Sequence, residues 1–404
     1  MNGAGPPGWQ RGAAQQPAAQ QPAVQQKASQ NPIQRRTVDP TSAIVNTLEA
    51  RSVHAEGLAG HTRGEPTVLP TRGCLQELRS PAGCTGERGA AAASKFVHVS
   101  TNKLKSPLHA SSWSPDGKRL LTGSDGGQFT VWNAYDFKFE NSLPAHESGI
   151  RCFAWSHSEV WLLSGDESGQ LKVWKQIVNN VKAFVAHRER ISSVSFAPTD
   201  LKFATCSTDT SVKMWDFARV QAESSVLGHG GDVNSVHWHP THSLIASGSK
   251  DWLAKLWDSR SQNTSNNAAV ASLHGHKGPV NCVRWNSNGN WLLTCSSDNS
   301  MKLFDLRTLK CLSTLSGHKS NVLCVQWHPH VEEALASASH DGSLGHWVIG
   351  WEKPAYFVQK AHDKPVMDVS WHPVGHMLAT GAYDCCSKFW ARPRPGEVPK
   401  DLLA

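Results

Sequence analysis

No stretch of eighteen apolar residues occurs in these 404 residues, so nothing reads as a membrane-spanning helix. The N-terminus lacks a basic segment followed by an apolar one, which argues against secretion. Ten cysteines are present, but no two form a Cys-X-X-Cys pair, so a zinc site has no support. No run of basic residues forms an import signal. Charge of neither sign dominates. The net charge is +7, and residues 1–94 carry nine Lys/Arg against six Asp/Glu, leaving four excess positive charges spread over the rest. That surplus permits nucleic-acid binding without requiring it.

What the chain does have is tryptophan in register. One ladder of aromatics runs through Trp113, Trp155, Phe196, Trp238, Trp285, Trp327 and Trp371, with spacings of 42, 41, 42, 47, 42 and 44 residues. A second runs through Trp132, Trp174, Trp215, Trp257, Phe304, Trp347 and Trp390, each 19 residues after its partner and 20 in the 327/347 pair. Twelve of the 17 tryptophans lie on these rungs, so the periodicity is the architecture. Seven units of just over forty residues predict an all-β, seven-bladed WD-repeat β-propeller over residues 95–391.

The third unit shows how a blade is written. Alternation in Ile191–Phe196 marks a strand with two faces, and Ala197-Pro198-Thr199-Asp200 stops it. Residues 202–207 give a second strand, 211–215 a third, and a fourth runs toward His229. Small residues in the second strand let blades approach closely, and the aromatics fill the wedge between them. Cys152, Cys282 and Cys324 each precede a first-ladder aromatic by three residues, and Cys206 and Cys295 share a second equivalent place. Repeat-locked cysteines read as small core residues in a reducing compartment.

A polar pattern accompanies the rings. His187, His229, His276, His318 and His362 precede Asp209, Asp251, Asp298, Asp341 and Asp384 by 22 or 23 residues. With a nearby strand hydroxyl such as Thr205 or Ser207, this could be read as a hydrolase triad. An enzyme builds one site, whereas this set recurs five times, so the pairs are expected to satisfy buried polar groups and hold blade geometry. The first two units carry Gly126 and Ser168 where the Asp should stand, which predicts blades held more by packing. No catalytic residue, metal, cofactor or small-molecule substrate is expected.

After Trp390 the run Ala-Arg-Pro-Arg-Pro-Gly cannot supply an outer strand. The unassigned segment Lys95-Phe96-Val97-His98-Val99 is expected to complete the seventh blade and cover its edge. Upstream, residues 1–34 contain nine glutamines and no acidic residue, and read as a disordered tail. Residues 35–94 read as an arm: Asp39 or Thr41 caps a short helix carrying Ile44, Val45 and Leu48, and 57–93 form a flexible insertion. Residues 392–404 form a C-terminal tail.

Several segments are more specific than repeat consensus: FVHVSTNKLKSP, SPDGKRLLTGSDGGQFTVWN, VNNVKAFVAH, FAPTDLKFATCSTD and NGNWLLTCSSDNSMKLFDLR, with RRTVDPTSAIVNTLEAR upstream and FWARPRPG at the end. Together they resemble the WD-repeat subunit family of the pre-mRNA cleavage and polyadenylation specificity factor, over about 95–397 and the arm around 33–51. The resemblance implies a non-enzymatic nuclear scaffold that joins a large multi-propeller subunit and a zinc-finger subunit. It also implies a part in recognising the AAUAAA-type signal of pre-mRNA. Arg35 and Arg36 match basic residues of the family's arm, Thr101 and Lys103 match positions implicated in RNA contact, and Phe139 matches a base-stacking aromatic. On the residues alone, Phe139 reads as readily as an outer-strand packing residue, and Lys103 and Lys105 as solvated loop charges. Val24 stands where the family has an aromatic, and Lys27 is the sole basic residue in VQQKASQNP, so the resemblance implies a clamp lacking one side.

The competing reading is a substrate receptor of a cullin-type ubiquitin ligase. Trp257-Asp258-Ser259-Arg260 resembles the WDxR box such receptors present, although Trp-Asp is also repeat consensus.

Overall fold

The computed structural model describes residues 92–102, 104–175, 179–260 and 269–393. The arm helix, Arg35, Arg36, Lys103, the tail 1–34 and residues 394–404 lie outside the described residues.

Seven four-stranded antiparallel sheets form the described residues, which contain no helix. Six sheets are continuous in sequence. The first runs Leu108–Trp113, Arg119–Ser124, Gln128–Asn133 and Phe139–Pro144, and the next five repeat that order. The seventh comprises Val366–Trp371, Met377–Ala382 and Cys386–Ala391, with Lys95–Thr101 as its outer strand. Phe96 pairs with Trp390 and Thr101 with Cys386, so the ring is closed by an N-terminal strand. Ala93, fully buried beside Trp371 and Trp390, extends the packed unit back into the segment expected to be a flexible insertion.

The two ladders occupy fixed places. First-ladder aromatics end the inner strands, and second-ladder aromatics lie in the third strands. Their rings pack at blade boundaries: Leu121, Phe129 and Val131 of the first blade meet Ile150, Leu162 and Trp174 of the second. Burying one such side chain is worth roughly 1.5–3 kcal/mol, so this repeated seam dominates the stability. The second strands carry the small residues the approach demands. A Cβ on Gly123 would stand 2.8 Å from Ile150 Cγ2 of the next blade.

Every inner strand also breaks register at one equivalent residue, four before its first-ladder aromatic. The first breaks between Leu108 and Ala110, and the others follow suit. A bulge adds twist and re-aims one side chain. Here it gives each blade one displaced side chain at the rim of the central channel, among them His109, Arg151 and Asn281.

Candidate nucleic-acid interface

The His/Asp pairs decide whether any blade holds a reactive centre. In the third blade Trp215 Nε1 donates to Thr205 Oγ1 at 2.9 Å, His187 Nε2 lies 2.7 Å from that oxygen, and His187 Nδ1 lies 2.9 Å from Asp209 Oδ2. A carboxylate only accepts, so Nδ1 carries the proton and the Thr205 hydroxyl donates to Nε2. Every polar atom of the chain indole–hydroxyl–imidazole–carboxylate is thereby paired. The same chain joins His229 to Asp251 and His362 to Asp384, each at 2.8 Å. In the fifth blade His276 bonds Asp298 and Thr294, with Phe304 in place of the indole.

Two blades depart from this. His318 Nδ1 meets Ser343 Oγ at 2.8 Å, while Asp341 Oδ1 accepts from the Ser343 backbone at 2.9 Å, so that pair is joined through a serine. The second blade does have a carboxylate: His146 Nδ1 bonds Asp166 Oδ2 at 3.0 Å, with Ser164 Oγ at 2.6 Å from Nε2. Asp166 stands two residues before the expected place, at the end of the second strand, and reaches the imidazole from there. The expectation that this blade relies on packing is therefore corrected. Only the first blade lacks the set; there Trp132 Nε1 donates to Thr122 Oγ1 alone, at 3.0 Å. Burial lowers the pKa of His187, His229, His276 and His362 despite their Asp partners, so these imidazoles are neutral links. The Cys152 thiol, also buried, is pushed up to about 12, as suits a packing residue.

A second histidine system escaped the sequence reading. Trp-His-Pro recurs at 238–240, 327–329 and 371–373. Each of these histidines donates Nε2–H to a turn carbonyl of the following blade: His239 to Gly289 at 2.7 Å, His328 to Gly375 at 2.9 Å, His372 to Gly117 at 2.9 Å. Each Nδ1 accepts a backbone N–H of its own turn, from His242, Val331 and Val374 respectively. These partners fix the neutral Nε2–H tautomer. The tripeptide, present three times, was the signal that could have found this latch.

Of the residues expected to meet RNA, Thr101 and Phe139 are described, and they lie on the outer strands of the neighbouring seventh and first blades. Thr101 ends the closing strand, with Oγ1 3.5 Å from Cys386 Sγ. Its neighbour Ser100 donates to the carbonyl of Phe137 at 2.8 Å, and His98 stacks on the Phe137 ring. Two residues on, Phe139 opens the outer strand of the first blade. It is 40% exposed, with its ring edge-on to Trp132 at 6.2 Å, so one face packs while the residue keeps solvent-accessible area. Burial and exposure are both real at this position.

Arg260, the candidate adaptor contact, folds back within its own turn. Its Nη2 lies 3.1 Å from Asp258 Oδ2 and its Nε 3.2 Å from Asp258 Oδ1.

The model of the WD domain, G-beta repeat, matches seven segments: 96–133, 137–175, 179–216, 221–258, 267–305, 309–347 and 354–391. Among curated proteins, the chain is 38% identical to polyadenylation factor subunit 2 of Candida albicans, over 75% of this chain and 60% of that protein. It is 36% identical to the protein of that name from Gibberella zeae (85% and 60%) and 35% to that from Neurospora crassa (76% and 50%). The chain thus spans less than two thirds of each relative's length. None of these relatives carries a ligase-receptor name, and that alternative finds no support. With seven matched repeats and a ring of seven four-stranded sheets closed by Lys95–Thr101, the chain belongs to the WD domain, G-beta repeat family.

Proposed function

We propose that this chain is a non-enzymatic scaffold subunit of the nuclear pre-mRNA 3′-end cleavage and polyadenylation machinery. It docks a large multi-propeller subunit and a zinc-finger subunit, and helps the assembly recognise the AAUAAA-type signal. The observation that carries this reading is identity of 35–38% to proteins named polyadenylation factor subunit 2, extending over three quarters or more of the chain. A non-catalytic role is supported by the titratable sets, which repeat from blade to blade as neutral structural links rather than converging on one pocket.

Within that role the seam of the closing strand and the first blade is the RNA-facing edge. Phe139 offers an aromatic surface to an unstacked base, worth ~1–3 kcal/mol, while Thr101 and Lys103 meet the backbone. Arg35 and Arg36 of the arm supply further phosphate contacts. In the assembled complex, Phe139→Ala combined with Lys103→Ala is expected to weaken binding of an AAUAAA-containing RNA about tenfold or more, with the melting transition of the propeller retained. Unchanged RNA binding by the double variant contradicts the site.

A further inference from the structure

The inner strands wall a central channel of about 560 Å³. Two guanidinium groups line it, and they are treated differently. Arg151 Nη2 is held by Asp125 at 3.1 Å and Glu167 at 3.0 Å. Arg284, one residue before Trp285 on the fifth inner strand, has no carboxylate within 4.0 Å among the described residues. Its Nε donates to Gln326 Oε1 at 3.4 Å, and its Nη1 to the Val283 carbonyl at 3.1 Å and Ser235 Oγ at 3.4 Å. Nη2 donates to no described residue, nor does the Gln326 amide nitrogen.

Asp368, which also lines the channel, does not neutralise Arg284 by contact. Asp368 spends its oxygens on the first blade and on its own strand: Oδ2 accepts from Ser111 N at 2.7 Å and from Ser111 Oγ, and Oδ1 from Val369 N at 2.9 Å. His237, on the inner strand of the fourth blade, accepts the Trp285 backbone N–H through Nδ1 at 3.1 Å. What remains is a half-buried, permanently charged planar donor with a spare edge, beside a spare amide donor, facing the polar channel. A guanidinium edge of that kind matches the paired oxygens of an oxyanion, and removal from bulk water strengthens the match.

We propose that the channel is a binding site for a small phosphate-type oxyanion, held by Arg284 Nη2 and the Gln326 amide nitrogen. The anion supplies the direct carboxylate-like contact that Arg151 has and that Arg284 lacks among the described residues.

The test uses the full chain and inorganic phosphate, titrated against chloride at matched ionic strength while the melting temperature is read. Saturating phosphate is expected to raise it by several degrees, on the order expected for ligand in large excess over Kd. Arg284→Gln should abolish the rise and Arg284→Lys reduce it, whereas Lys277→Gln, on an exposed loop, should leave it intact. No phosphate-specific rise in the wild type, or a rise that survives Arg284→Gln, overturns the proposal. Should Arg284→Gln not fold, diffraction from crystals of the wild type soaked in tungstate decides. A tungsten peak beside Arg284 Nη2 supports the site, and a peak elsewhere or none refutes it.

Discussion

His372 Nε2 donates to the carbonyl of Gly117 at 2.9 Å, tying the last blade of the ring to the first. The same imidazole lies edge-on to Trp113, with ring centroids 4.9 Å apart. Gly117 has φ +68°, and a Cβ there would stand 2.5 Å from Nε2, so both the backbone conformation and the approach require glycine. The latch lies on the seam that also carries the closing strand and Phe139.

Removing this latch leaves a buried carbonyl without its donor, which costs about 1–3 kcal/mol. His372→Ala and Gly117→Ala are each expected to lower the denaturant midpoint by an amount of that order. The pair should be strongly non-additive, because each breaks the same contact. Additive losses would show that the two residues act separately.

The latch tautomer makes the fold sensitive to acid. Burial holds His328 and His237 at about 3, and His109, His318, His346 and His372 at about 4, below the unfolded value of about 6.5. Between about pH 6.5 and 4 the unfolded chain therefore binds protons that the folded chain does not, and stability falls as pH falls through that window. Asp368 has the opposite sign. Burial raises it to about 6, so its protonation on acidification favours the folded state. One carboxyl does not reverse six imidazoles. The melting temperature should drop between pH 7.5 and pH 5; a flat or rising profile contradicts the neutral assignments.

The indole–hydroxyl–imidazole chain gives a sharper structural test. Thr205 Oγ1 serves both Trp215 and His187. Thr205→Val keeps the shape but orphans both partners, and is expected to cost about 2–4 kcal/mol in the denaturant midpoint, whereas Thr205→Ser should cost little. Equal losses in the two variants would mean that packing, not the hydroxyl, matters there.

Deletion of residues 95–99 should destabilise the whole propeller, since it exposes the edge of Cys386–Ala391 along most of its length. An unchanged melting transition after the deletion would show that the ring closes without this strand.

The architecture was legible because the rings that fill the blade seams recur at a fixed period, and the Pro-rich segment after Trp390 ruled out a local outer strand. Asp166 was not legible. Matching by offset from the histidine pointed to position 168, in the turn, while geometry admits a carboxylate two residues earlier, at the end of the second strand. The bulge in each inner strand leaves no mark in composition, because residues as different as His109, Arg151 and Leu323 occupy it. Arg284 was equally hidden. That its guanidinium lacks a carboxylate depends on which side chains seven separate strands bring around the channel. The seam between Thr101 and Phe139 likewise appears only once the closing strand is placed.

The central claim is the assembly this propeller serves. Purification of the full-length chain from nuclear extract, with co-purifying proteins identified by mass spectrometry, tests it most directly. Recovery of a large multi-propeller subunit and a zinc-finger subunit together with 3′-end cleavage and poly(A) polymerase components is the predicted result. Absence of 3′-end processing proteins, with recovery instead of a ligase adaptor that Arg260→Ala releases, would contradict it.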